Sequence, residues 1–365
     1  MHEQRKLEHL RISLEKEIEC EGVSTGFERY RLVHEALPDL DLETVDTTTA
    51  FLDYELDGPL IISAMTGGTS AAGVINRRLA EAAEEAGVAL ALGSQRAAIE
   101  DPGLAHTYQV RHLAPSVPLL ANLGAVQLNH GYGLDECRRV VEMVEANMLV
   151  LHLNPLQEAL QVEGTTCFAG LLGRIESVCS RLEVPVIVKE VGWGLSENAA
   201  RQLAEAGVAA IDVAGAGGSS WSRVEMYRAT SEPQRRLAEA FATWGIPTAE
   251  SLLLAQEGAP GIPVVASGGI REGTEMAKAM AMGAALCGVA RPFLQAANDS
   301  TGAVLALISV LLEQLRTTMF VIGAGDIPSL RQMEVVEPTW RGGPPAGERG
   351  RGFRGVGSRS LDDDA

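Results

Sequence analysis

Cysteine is scarce and unpatterned in this chain: five in 365 residues (Cys20, Cys137, Cys167, Cys179 and Cys287), scattered and never spaced as a C-x-x-C pair. That speaks against a disulfide framework or a zinc site, and it suits a reducing compartment. Basic charge is in deficit as well. Thirty Lys and Arg stand against forty-eight Asp and Glu, a formal net charge of −18, and a field of that sign repels nucleic acid and anionic membrane surfaces. No stretch approaches the ~18 uncharged apolar residues of a membrane span. The N-terminus, MHEQRKLEHLRISL, is charged from its first residues and lacks the apolar run of a signal peptide. The expectation is a cytoplasmic protein with no nucleic-acid or membrane partner, in which any anionic ligand needs a local basic pocket.

What is present is a large apolar core and a repeated unit. The chain is 46% hydrophobic and 21% charged, the balance of a globular protein of one large α/β domain or two smaller ones. The segments AEEAGVALALG (83 to 93), LAEAGVAAIDVAG (203 to 215) and AMAMGAALCGVA (279 to 290) each run from a helical pattern through a glycine into a short β-rich stretch, which reads as helix, tight loop, strand. Eight strand candidates follow: PLIISAM from Pro59, VALALGS from Val88, PLLANLG from Pro118, MLVLHLN from Met148, PVIVKEV from Pro185, AAIDVAG from Ala209, PVVASGG from Pro263 and ALCGVAR from Ala285. Most are continuous apolar runs, as parallel strands covered on both faces require.

Eight β/α units between about residues 59 and 320 predict a (β/α)8 TIM barrel; an open doubly wound sheet is the alternative. The expected organisation is an N-terminal extension over 1–58 with a helix at Glu3 to Glu19, a barrel over 59–340, and a disordered Gly-, Arg- and Ser-rich tail over 341–365. GRGFRG (350 to 355) satisfies G-x-G-x-x-G, but no strand precedes it and no helix follows, so it carries no nucleotide site.

In such a barrel the chemistry lies where the strands end. There the sequence turns small and polar: AMTGGT (64 to 69), GSQR (93 to 96), ANLG (121 to 124), HLNPLQEALQVEG (152 to 164), KEVGWG (189 to 194), AGAGGSSW (214 to 221), SGGIREG (267 to 273) and GVAR (288 to 291). Gly268, Gly269 and Arg271 after the seventh strand, with Ala290 and Arg291 after the eighth, form the pattern of a phosphate cradle beside a helix N-terminus. A phosphate-bearing cofactor held there suggests flavin mononucleotide (FMN), whose ring needs thin backbone on one face and a cation near its N1–C2 edge. Lys189 can supply that cation; otherwise it pairs with Glu190 or Asp212 inside the barrel.

Together, RKLEH, MTGG, GSQR, ANLG, NPLQE followed by Q-x-E-G, KEVGWG, AGAGGSSW and SGGIREG resemble the type 2 isopentenyl-diphosphate isomerase family, in that family's order from residue 5 to 291. The resemblance implies reversible 1,3-allylic isomerisation of isopentenyl to dimethylallyl diphosphate, with reduced FMN, NADPH as reductant and Mg²⁺, in a homo-oligomer of four or eight subunits. It implies diphosphate contacts from Arg5, Lys6, Ser94, Gln95, Arg96, His152 and Asn154, a substrate contact from Gln161, and Mg²⁺ on Glu163. Lys189, Gln161 and His152 are the catalytic candidates. FMN is expected on Ala64, Met65, Thr66, Ser94, Asn122, Lys189, Ser219, Gly268, Gly269, Ile270, Arg271, Ala290 and Arg291. Gly215, Gly217 and Gly218 would admit the flavin, and Trp221 would wall the allylic pocket. The metal loop departs from the family: Val162 replaces a proline and Thr165 an aspartate. Hydroxy-acid oxidases and inosine-monophosphate dehydrogenase relatives place a catalytic histidine or cysteine after strand 6, where this chain reads AGAGGSSW.

Overall fold

The computed structural model describes residues 2–337, so the tail expected over 341–365 lies outside the described residues. Eight parallel strands close into one barrel: β1 (Leu60–Ile62), β2 (Ala89–Ala91), β3 (Leu119–Gly124), β4 (Met148–His152), β5 (Val186–Lys189), β6 (Ala210–Asp212), β7 (Val264–Ser267) and β8 (Leu286–Val289). Each pairs with the next in sequence, and β8 returns to β1 through Cys287↔Leu60 and Val289↔Ile62. Closure rules out the open sheet. Each strand falls within its sequence window.

The uninterrupted apolar runs divide by strand alternation into two layers. Ile61, Ala89, Ala91, Leu120, Met148, Val150, Ile187, Ala210, Val265 and Leu286 pack together inside the barrel. Their neighbours, among them Leu60, Ile62, Leu90, Leu119, Leu149, Val188 and Ile211, pack against the surrounding helices. At the C-terminal rim the register changes character, because Gly124 pairs with His152, His152 with Lys189 and Lys189 with Asp212. The apolar barrel thus ends in a polar layer.

The N-terminal extension serves both ends. A hairpin, Thr49–Phe51 with Tyr54–Leu56, sends Phe51 and Leu56 into the interior cluster. It also hydrogen-bonds Asn147, just before β4, through the Tyr54 hydroxyl at 3.0 Å, so it plugs the end remote from the polar rim. Helix α1 (His2–Glu15) lies across the opposite mouth. It stops short of the expected Glu19 because the following residues become extended: Glu19 bridges Ser219, Cys20 N–H donates to the Gly218 carbonyl at 2.8 Å, and Ser220 N–H donates to Ile18 at 2.7 Å.

Among the helices that bear on the site or on the surface are α2 (Trp221–Arg228), α3 (Arg291–Asp299) and α4 (Thr301–Val321). An 18-residue window of α4 has mean hydropathy 1.6, long and apolar enough to cross a membrane by length and composition. It nevertheless buries Val304, Ile308, Leu311, Leu315 and Met319, spaced three or four apart, against the barrel layer, the stripe of an amphipathic packing helix.

Candidate active site

All eight strand ends and α1 line one cavity of about 210 Å³ at the polar mouth. The floor comes from Ser63, Ala64, Met65 and Thr66 after β1 and from Asn122 at the end of β3. Ser63 is 4% exposed, and its hydroxyl has no hydrogen-bond partner. The Asn154 carbonyl oxygen is equally buried and unpartnered. Such orphans are costly unless a ligand or water satisfies them, and both residues line this cavity.

Lys189 reaches the cavity from β5, its ammonium donating to the Glu190 carbonyl at 2.7 Å and lying 3.8 Å from Asp212. The two alternatives left open by the sequence are therefore both realised: the lysine faces the mouth and is paired from behind. Asp212 also accepts from the Ser267 hydroxyl. Glu190 accepts from three successive amides, Val191, Gly192 and Trp193. Burial still pushes its carboxyl up to about 7, as removal from water favours the neutral form.

His152 is the neutral member of the group. Burial, with Lys6 and then Lys189 beside it, holds its imidazole down to about 3. Its Nδ1 is 2.8 Å from Asn122 Oδ1, so the neutral ring donates from Nδ1 and leaves Nε2 as an acceptor.

Helix α1 forms the cationic wall. Arg5, His9 and Ser13 recur every four residues on one stripe, with Lys6 and Leu10 beside them, as helical periodicity requires. Lys6 donates to the Ser94 carbonyl at 3.2 Å, and burial together with Arg5 and Arg96 lowers its ammonium to about 8. His9 contacts Trp221 edge to face at 5.2 Å and Glu225 at 3.0 Å. Trp221 lines the cavity and packs with Ile12, Ile18 and Val224, so it is a wall residue rather than a surface aromatic.

Most expected site residues converge here: Arg5, Lys6, Ser94, Arg96, Asn122, His152, Asn154, Gln161, Lys189, Ser219, Trp221 and the turns Gly268 to Arg271 and Ala290 to Arg291 all line the cavity. Several expectations need correction. Gln95 is fully buried and absent from the cavity lining, because its amide donates to Val140 and its carbonyl accepts from Asn122 N–H. It stitches β2 to β3. Glu163 lies in a neighbouring cleft, where it accepts from Arg228 at 3.2 Å. Burial opposes its ionisation, yet a backbone amide and Arg228 hold the carboxyl below its ordinary value. Among the described residues no three acidic, His or Cys side chains cluster as metal ligands.

The glycines of the β6 turn also differ in purpose. A side chain on Gly215 would meet Thr248, one on Gly217 would meet Thr25 N at 2.3 Å, and one on Gly218 would meet Gly269 N at 2.4 Å. These glycines let three backbone segments touch; of the three, only Gly215 lines the cavity. In the β7 turn, Gly268 (φ 105) and Gly269 (φ 79) hold conformations that side chains avoid. The guanidinium groups of Arg271 and Arg291 both turn toward Glu19, at 2.9 and 3.5 Å, although both residues belong to turns that line the cavity. Ser63, Gln157 and Glu158, also in the lining, escaped the sequence reading; the i, i+3 and i+4 spacing after Asn154 was the available signal for the last two.

Residues 158–337 match the family described as FMN-dependent dehydrogenase. Over 327 residues the chain is 50% identical to isopentenyl-diphosphate delta-isomerase of Nostoc sp., covering 90% of this chain and 93% of that protein. It is 53% identical to the Synechococcus sp. protein of the same name over 92% of this chain and 96% of the other. The chain belongs to the type 2 isopentenyl-diphosphate isomerase family. Its fold is shared more widely: mandelate oxidase solved with (S)-2-phenylpropionate superposes with a TM-score of 0.63 at 19% identity, over 92% of this chain and 96% of that one. At that identity the likeness extends to the barrel alone, and family membership separates this site from that of the oxidases.

Proposed function

We propose that this chain catalyses the reversible 1,3-allylic isomerisation of isopentenyl diphosphate to dimethylallyl diphosphate, using FMN in its reduced state, NADPH to reduce it, and Mg²⁺. The observation that carries this reading is the division of one cavity into two chemically distinct walls. The turns after β7 and β8 and the start of α3 line one part of it, Arg5 and Lys6 of α1 and Arg96 beyond β2 line another, and Lys189 enters from β5.

The residues fit the cofactor. The unpartnered Ser63 hydroxyl, Thr66 and Asn122 supply hydrogen-bonding groups at the floor, and the turns after β7 and β8 would hold the phosphate. Reduced FMN, when bound, would supply the acid–base chemistry that delivers a proton to one allylic carbon and removes one from the other.

The chain's own residues then bind and orient. Lys189 places positive charge where a reduced ring accumulates negative charge, and Asp212 and the Glu190 carbonyl fix its ammonium in place. Arg5, Lys6 and Arg96 clamp the diphosphate, and Gln161 contacts the substrate beside it. Trp221, with His9 against its edge, shields the isoprenyl chain from water. Glu163 opens on the neighbouring cleft and is held by Arg228, so it does not line the cavity that would take the diphosphate; Glu158, which does, would be the carboxylate to hold Mg²⁺ there. Glu225, 4% exposed, lies in the neighbouring cleft and contacts His9 and Arg228, which places it as an orienting group behind the wall. A homo-oligomer in the cytoplasm remains part of the proposal.

The test is deuterium exchange into isopentenyl diphosphate in D₂O with Mg²⁺ and reduced FMN. Wild type should exchange and isomerise without consuming oxygen or stoichiometric reductant. Lys189→Ala should lower kcat by about 10²–10³-fold, and Glu158→Gln should raise the Mg²⁺ concentration needed. Net oxidation of substrate, or protein that takes up no FMN, overturns the proposal.

A further inference from the structure

The two arginines that the sequence assigns to the cofactor phosphate spend their side chains elsewhere. Arg291 opens α3 directly after β8 and is 7% exposed. Its Nε donates to the Ser13 carbonyl at 3.0 Å, its Nη2 to the Lys16 carbonyl at 2.7 Å, and its Nη1 lies 3.5 Å from Glu19. Ser13 sits in the last turn of α1 and Lys16 just beyond it, where helix carbonyls have no intrahelical donor and the helix dipole is negative. Arg271 ties the same Glu19 carboxylate at 2.9 Å. The guanidinium of Arg291 therefore caps the C-terminal end of α1 with charge-assisted hydrogen bonds.

We infer that Arg291 is a positioning residue for substrate: its side chain sets α1 across the mouth and so places Lys6, Arg5 and His9 against the diphosphate, while its backbone alone serves the cofactor side. The inference rests on the isomerase reading of the cavity. The lever is short, because His9 lies one helical turn from Ser13 and Lys6 lies two turns away, roughly 10 Å along the axis. A guanidinium is suited to this task because its planar fork reaches several acceptors at once, whereas an ammonium acts as a point charge.

The holoenzyme carrying Arg291→Met should show a KM for isopentenyl diphosphate at least tenfold higher, with kcat reduced less than threefold and FMN affinity within twofold of wild type. Amide exchange in peptides from α1 should quicken at least tenfold while β3 and β4 keep their protection. Arg291→Lys should recover part of the KM. Glu19→Gln, on a half-exposed side chain, should move KM the same way by two- to fivefold, and it decides the matter if the methionine variant does not fold. An FMN affinity weakened more than tenfold with α1 exchange unchanged overturns the inference, as does an unchanged KM in both Arg291→Lys and Glu19→Gln. If wild type fails to isomerise the substrate, the functional reading falls, while the exchange measurement still tests the anchor by itself.

Discussion

At the scale of single residues, the site is defined by charges held out of water. Lys6 is a cation whose burial, beside Arg5 and Arg96, lowers its ammonium to about 8. Its charge is therefore lost as pH rises through that value, and the affinity for inorganic pyrophosphate should fall about tenfold per pH unit above it, the slope of one required proton. Lys6→Arg should remove that alkaline limb, since a guanidinium stays charged; isothermal titration from pH 7 to 10 makes the comparison. His152 is held neutral by burial, with Lys6 and Lys189 adding to the effect. An anion that offsets those two charges should raise the imidazole value, seen as an upward shift of the ring resonances' titration when pyrophosphate binds. A titration that does not move would show that the anion lies away from this pair.

At the scale of elements, connections do more than join strands. Three backbone segments meet at the β6 turn, and an added methyl on Gly218 would lie 2.4 Å from Gly269 N. Gly218→Ala should therefore cost roughly 1–3 kcal/mol as an overpacking change and weaken FMN binding, because the displaced neighbour is the β7 turn. The hairpin at the far end gives the complementary case. Phe51 is 1% exposed within the interior cluster, so Phe51→Ala should destabilise by about 3–5 kcal/mol. Its effect on KM should be negligible, since the plug lies at the opposite mouth from the cavity. Urea midpoints paired with KM separate the two; a Phe51→Ala protein with normal stability would refute the plug.

At the scale of the whole molecule, two buried groups give stability opposite dependences on pH. The folded His152 refuses a proton that the unfolded chain accepts below about 6.5, so its contribution is present above that value and is lost as pH falls toward about 3. Glu190 has a raised folded value, so its contribution is full below about 4.5 and is lost as pH rises through about 7. His152→Asn should flatten the decline in unfolding free energy on acidification below pH 6.5, and Glu190→Gln should flatten the decline between pH 5 and 7. Denaturation curves at half-unit intervals check both signs.

The barrel was legible because its cause is local and repeated: apolar runs, glycine after several of the helices, and polar rims at regular intervals each report on their own segment. The rim residues were legible for the same reason, since strand ends in a closed barrel must converge. The rest depended on chain segments distant in sequence. Gln95 sits in a rim motif yet turns to the helix layer, because its amide finds Val140 and Asn122 there. Gly217 and Gly218 of the β6 turn looked like space for a ligand, but the structure fills that space with Thr25 and Gly269. Arg271 and Arg291 looked like phosphate ligands until Glu19 and the end of α1 arrived beside them. By itself the sequence determined the strand order, the apolar layers and the list of polar groups at the mouth, because periodicity and composition act through neighbours along the chain. Only the tertiary structure decided which partner each polar group took, because hydrogen bonds and ion pairs are settled by proximity in space.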